Sequence, residues 1–155
     1  MCIRDSNEIP RAPNISKSLL REKMYELWQE QWLNNETCRQ TKQFYATINQ
    51  KRSKKILKLA RSQLTTLVKV TTGHNALAYH ASNIDPTIDP SCSLCELENE
   101  TFFHLATTCP RLRLLRQDIV LDDDVESPDT WTPTRILELA RSVPVEGLLD
   151  RYIAE

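Results

Sequence analysis

Glycine is almost missing from this sequence: among 155 residues only Gly73 and Gly147 occur. Phosphate-cradling loops and the tight turns of strand-rich folds need backbone conformations that few other residues tolerate. Nucleotide-binding folds and compact β-architectures are therefore poor fits, and helices are favoured. No apolar run approaches the roughly 18 residues of a membrane span, so no membrane association is expected. There is no secretory signal, and five cysteines at this length do not make a disulfide framework. The chain is expected inside the cell, in cytoplasm or nucleus, and not secreted. Catalytic patterns are lacking too, with neither a nucleophile–base pair nor spaced carboxylates for two-metal hydrolysis. An enzyme is not expected. The length, with 40% hydrophobic and 26% charged residues, suits one soluble domain with a modest core.

The cysteines that are present concentrate in one stretch, CSLCELENETFFHLATTC (92–109). Cys92 and Cys95 are separated by two residues, His104 follows after eight, and Cys109 after four more. Thiolates and an imidazole are the ligands Zn²⁺ prefers, and four of them close a tetrahedral site. A short helix starting near Glu100–Thr101 would carry His104 and return Cys109 just past its end, at the Cys-Pro step. A redox pair is the competing reading, but no βαβ pattern surrounds the two cysteines. Disulfides, buried thiols or a metal-free remnant are the others. The spacing favours one structural Zn²⁺, because four protein ligands leave no open position for water. The expected fold is a mainly α, small helical domain with a zinc-stapled Cys-x2-Cys…His-x4-Cys loop.

These residues carry a family resemblance. TGHNALAYH (72–80), then CSLCELENETFFHLATTCP (92–110), then Arg116, resembles the carboxy-terminal zinc-binding region of non-LTR retrotransposon reverse transcriptases. Trp28, Trp32 and TKQFY (41–45) look like the same family's connecting segment. The resemblance runs over roughly residues 9–153. It implies that Cys92, Cys95, His104 and Cys109 are the metal ligands. It also implies that polymerase and, in many elements, RNase H domains lie upstream as partners in the same polyprotein. One departure is Glu96, where many relatives have glycine to relax the turn.

Along the chain, residues 1–6 (MCIRDS) resemble a translated sequencing adapter, a non-native scar, which would make this the tail of a longer protein. Residues 7–15, with Pro10 and Pro13, read as a linker, and 16–155 as a single helical domain. Ser16 can cap a helix to about Asn34 whose Leu20, Met24, Leu27, Trp28 and Trp32 recur at helical spacing and point to core packing. Cys38 reads as a small buried hydrophobe, and a short helix over 40–48 would present Phe44 and Ile48.

Acidic residues are absent from Thr37 to Asn83, where nine basic residues give +9. Residues 84–155 hold six basic and fifteen acidic residues, for −9. The near-neutral total thus hides a polarity along the chain. The spacing predicts one helix over 53–70, with Ile56, Leu57, Ala60, Leu64, Leu67 and Val68 inward. Lys51, Lys54, Lys55, Lys58 and Arg61 would then share the opposite face, which can run along RNA or DNA phosphates without reading sequence. A solvated face paired with the acidic half is the alternative.

Gly73 can end that helix, and Asn75 can cap another to about Ala81. Either His74 or His80 could serve as a ligand or general base, but both read as structural, with His74 or His80 packing against the zinc loop. The zinc module is expected over 85–120, with Pro110 starting a helix that faces Leu112, Leu115 and Ile119 inward. Arg111, Arg113 and Arg116 beside it either add to a phosphate-binding surface or are solvated. Residues 121–132 read as an acidic loop. Asp122–Asp124 within it lack the aromatic-x-Asp-Asp pattern of a polymerase metal site. Helices over 133–154 close the chain, with Ile136, Leu137 and Ala140 inward on the first and Val145, Leu148, Leu149, Tyr152 and Ile153 on the second.

These features suggest a non-catalytic nucleic-acid-binding accessory module of a retrotransposon polyprotein. The competing function is a structural or protein-interaction domain that braces neighbouring RNase H or polymerase domains, and a relic without activity is a third reading.

Overall fold

A computed structural model describes residues 16–119 and 131–145. The adapter-like residues 1–6, the linker 7–15, most of the acidic loop 121–132 with Asp122–Asp124, and the last helix beyond Val145 lie outside the described residues. The described chain is mainly α, as expected, and contains no strand. It divides into two compact units, Met1–Asn34 and Asn35–Glu155.

The first unit contributes α1, Lys17–Asn34. Ser16 caps it as expected, its Oγ accepting from the backbone N–H of Leu19 at 3.2 Å. Tyr25 and Trp28 stack with ring centroids 6.2 Å apart. The core role expected for its apolar residues is not found. No α1 residue is buried, and Trp28 is 57% exposed. Leu20, Met24, Leu27 and Trp28 share one side of the helix at i, i+4, i+7 and i+8, yet all four are more than half exposed.

The second unit is built from α2 (Arg39–Phe44), α3 (Gln50–Ile56), α4 (Arg61–Thr72), α5 (Ala78–Ser82), α6 (Phe102–Thr107), a 3₁₀ turn at Pro110–Leu112, α7 (Arg113–Ile119) and α8 (Pro133–Ser142). Helix α4 packs against α8 and α2, α7 packs against α8, and α6 touches α2 and α4. Phe44 sits at the centre, with ring centroids 5.9 Å from Phe102, 5.4 Å from Phe103 and 6.2 Å from Trp131. Leu67, Val70, Leu105, Leu112, Ile136 and Leu139 complete the surrounding core.

Three expectations are corrected here. The single helix over 53–70 is two helices, because α3 stops at Ile56 and α4 starts at Arg61. Ala60 is extended, and its backbone N–H donates to Gln63 Oε1 at 3.1 Å, half of a capping box. The break lets Leu59 pack on the core while Leu57 is 79% exposed. It also turns α4 so that Leu67, Val70 and Thr71 are buried and Val68 is not. Trp131, assigned to the acidic loop, is a buried core residue. It precedes Thr132, whose Oγ1 accepts from Arg135 N–H at 3.3 Å as the N-cap of α8. Trp131 and Ile136 therefore hold the two positions of a hydrophobic staple, and both are buried. Finally, Cys38 is exposed and left-handed, with φ 59°, at the N-cap of α2.

Other expectations hold. Ile136, Leu137 and Ala140 are buried on α8. Gly73 ends α4 at φ 82°, its N–H donating to Lys69 O at 3.0 Å. A side chain there would be strained whatever the space, and a Cβ would also meet the end of the Gln40 side chain. No helix among the described residues is long and apolar enough to cross a membrane. Gly73→Ala should lower stability by about 1–2 kcal/mol in a denaturant melt, because alanine must take the left-handed conformation.

Candidate metal centre

The chain enters the site through two Asx turns. Asp85 Oδ1 accepts from the Thr87 N–H at 3.0 Å and hydroxyl at 2.7 Å, and Asp89 Oδ1 accepts from the Ser91 N–H at 2.9 Å. These bonds hold both carboxyls below the usual carboxylate range. A miniature hairpin follows, closed by an antiparallel bridge between Ser91 and Asn99. Cys92 N–H donates to Glu98 O at 2.8 Å, and Glu96 N–H donates back to Cys92 O at 2.8 Å. Glu96 makes this turn at φ 58°, in the left-handed region where glycine would carry no side-chain strain.

Thr101 then caps α6, its Oγ1 accepting from His104 N–H at 3.0 Å. The helix lasts little more than one turn, which aims His104 inward, and Cys109 N–H donates to His104 O at 2.9 Å as the chain leaves. Cys92, His104 and Cys109 are buried and Cys95 half-buried. One ligand atom from each of the four residues falls within 4.8 Å of all the others. Cys95 Sγ lies 3.3 Å from His104 Nε2. A tetrahedral zinc with bonds of about 2.0–2.3 Å has ligand–ligand edges of roughly 3.6–3.8 Å. The donor set thus fits a metal ion of that size, and the four expected residues are the ones that converge.

Burial pushes the Cys92 thiol up to about 11 and raises that of Cys109. At Cys95 burial acts in the same direction. Hydrogen bonds to the Leu97 backbone, His104 and the neighbouring thiols outweigh it and bring the group to about 7. A cation bound by all three sulfurs must displace their protons, so metal binding and proton release are coupled here.

Several supporting residues were not anticipated. Glu100 is only 3% exposed. Its Oε1 accepts from Ala78 N–H at 3.1 Å, and its Oε2 accepts from the Ser93 N–H at 2.7 Å and from the Ser93 hydroxyl. Its own N–H donates to Pro90 O at 2.7 Å. One carboxylate thereby joins the Cys-x-x-Cys turn to the start of α5. Glu98 and Thr108 flank the His104 ring. A capping threonine three residues before His104 was readable in sequence; the carboxylate contacts were not, because they join segments the spacing does not relate.

Arg116 is corrected from a possible phosphate contact to a buried support. Its Nη1 donates to Cys109 O at 2.6 Å and to Leu105 O at 3.3 Å. Burial lowers its pKa, and the charge of Cys109 opposes that shift. His74 and His80 meet edge to face, 5.2 Å between ring centroids, and neither belongs to the four-residue cluster.

The basic residues are placed differently from the expected stripe. Lys51, Lys54 and Lys55 lie on α3, Lys58 in the turn, and Arg61 at the first residue of α4. All five are exposed, as are Arg111 and Arg113. The break between α3 and α4 ends the helical periodicity that would have aligned them. Arg52, next to them, instead lies 4.4 Å from the Tyr45 ring centroid. Burial pushes the Tyr45 phenol up to about 12, although Arg52 acts to lower it.

No protein-family model, curated protein or solved structure matches the chain. Glu100→Ala would remove the carboxylate acceptor of the Ala78 and Ser93 N–H groups and should cost about 3 kcal/mol of unfolding free energy in a denaturant titration.

Proposed function

We propose that the chain is a non-catalytic, zinc-stapled helical module that contacts nucleic-acid phosphates, an accessory part of a retrotransposon polyprotein. The observation that carries the zinc reading is the convergence of Cys92, Cys95, His104 and Cys109. Three sulfurs and one imidazole suit Zn²⁺ better than oxygen-seeking cations. Four protein ligands fill a tetrahedral shell, so the ion's role is structural. Such a site supplies roughly 10–16 kcal/mol of apparent binding energy, comparable with the roughly 5–15 kcal/mol stability of a whole domain.

The nucleic-acid reading is supported by Lys51, Lys54, Lys55, Lys58 and Arg61, which are exposed and, among the described residues, lack acidic partners. Arg111 and Arg113 extend the candidate contacts. These are point charges on an acid-free stretch, suited to phosphates and not to base edges. The polyprotein context rests on the resemblance of residues 72–80 and 92–110. A bracing role beside RNase H or polymerase domains is the second reading, favoured by exposed Leu97 on the metal loop and Leu114 on α7.

Protein purified without chelator should contain one zinc per chain by elemental analysis. Chelation should sharply increase amide hydrogen exchange from Asp85 to Ile119; metal-free protein with unchanged exchange would refute the structural ion. For the second half of the proposal, binding of the zinc-loaded chain to single- and double-stranded RNA and DNA should weaken steeply with salt. Replacing Lys54, Lys55 and Lys58 by glutamine should reduce the salt slope by about 3. No binding by folded, zinc-containing protein would turn the reading to the bracing role.

A further inference from the structure

The His104 ring shows a feature that the ligand set does not account for. Its Nδ1 lies 3.0 Å from Glu98 Oε2 and 2.8 Å from Thr108 Oγ1. Thr108 Oγ1 in turn donates to the same Glu98 oxygen at 3.1 Å. A threonine hydroxyl has one proton, and here it is directed at Glu98. Toward His104 the hydroxyl can offer only lone pairs, and an ionised carboxylate likewise only accepts. Both neighbours therefore require the proton on Nδ1. In the neutral ring Nε2 then carries the free lone pair, and Nε2 is the nitrogen that faces Cys95 Sγ at 3.3 Å.

We propose that Glu98 and Thr108 are the positioning residues of this metal centre. They fix the Nδ1–H tautomer and ring angle of His104, present Nε2 to the thiols, and so set how tightly a zinc-class divalent cation is kept. The inference rests on the zinc reading above and adds to it two residues that do not touch the ion. A carboxylate on the far nitrogen makes an imidazole a better donor, and a ring already held in place loses less freedom when it binds. The two residues reach the same ring nitrogen from different elements, Glu98 from the hairpin and Thr108 from the end of α6. Their contact closes only when the hairpin and α6 are in register. Both residues are exposed, and the Glu98 side chain is 58% accessible, so they can be changed without opening the core.

The test uses the full chain and compares wild type, Glu98→Gln and the double variant Glu98→Ala/Thr108→Val. Zinc affinity is measured by competition with a chromophoric chelator, the ligand set by the absorption spectrum of the Co²⁺ form, and the His104 tautomer by ¹⁵N NMR. The double variant should bind zinc about 10–100-fold more weakly, while its cobalt spectrum keeps the bands of three thiolates. Glu98→Gln should stay within about threefold of wild type, since the amide oxygen still accepts from Nδ1–H. Wild type should show His104 protonated at Nδ1 and metallated at Nε2. Equal affinity in the double variant, or metal on Nδ1, would overturn the proposal while leaving the zinc reading intact. Failure of wild type to bind Zn²⁺ or Co²⁺ would overturn both.

Discussion

Glu100 is where the separate parts of the site become one structure. Its carboxylate holds the backbone of Ser93 in the Cys-x-x-Cys turn and of Ala78 at the start of α5, and its peptide N–H holds Pro90. A buried carboxylate is costly unless its oxygens are satisfied. Here the donors are two backbone N–H groups and the Ser93 hydroxyl, all of which lose their acceptor without it. Each side of the arrangement thus makes the other tolerable, and the loop can present its sulfurs only while this exchange holds. Arg116 plays a comparable part on the opposite flank, tying the carbonyls of Leu105 and Cys109 to α7.

The ligands themselves were legible because the relevant information is local. Cys92, Cys95, His104 and Cys109 span a short stretch, and a hairpin followed by one capped helical turn is enough to bring them together. Gly73 and the helix start at Pro133 were legible for the same reason, since end signals act within a few residues. The break between α3 and α4 was hidden because Leu57 and Leu59 are chemically alike; which of them packs inward is decided by α8 and its neighbours, not by spacing. Trp131 was obscured by the acidic residues before it, and its burial depends on Phe44, far away in sequence. Leu20, Met24, Leu27 and Trp28 of α1 satisfy a helical period yet are exposed, because periodicity marks a face and not what covers it. Glu100 and Arg116 fall within the stretch that carries the family resemblance, but their buried support roles depend on tertiary partners that spacing does not show.

Charge polarity along the chain survives in the fold, but in a different form. The basic residues from Lys51 to Arg61 remain exposed, on a helix, a turn and the beginning of a second helix. Acidic residues of the following half are not all surplus negative charge: Asp85, Asp89, Glu98 and Glu100 each accept specific hydrogen bonds. Four of the fifteen acidic residues of that half thus serve as hydrogen-bond acceptors in and around the metal loop.

The hairpin also bears on the order of assembly. Its bonds join Cys92 to Glu98 and Pro90 to Glu100, and the end of α6 adds one from Cys109 to His104, all between close neighbours along the chain. Phe44, by contrast, must find Trp131 across most of the second unit. Loop-closure entropy rises with separation, and nearby contacts form fastest. On a chain made from its amino terminus, every residue of the metal loop has emerged before α8 exists. The loop can therefore close first, leaving the helices to gather around a piece that is already built.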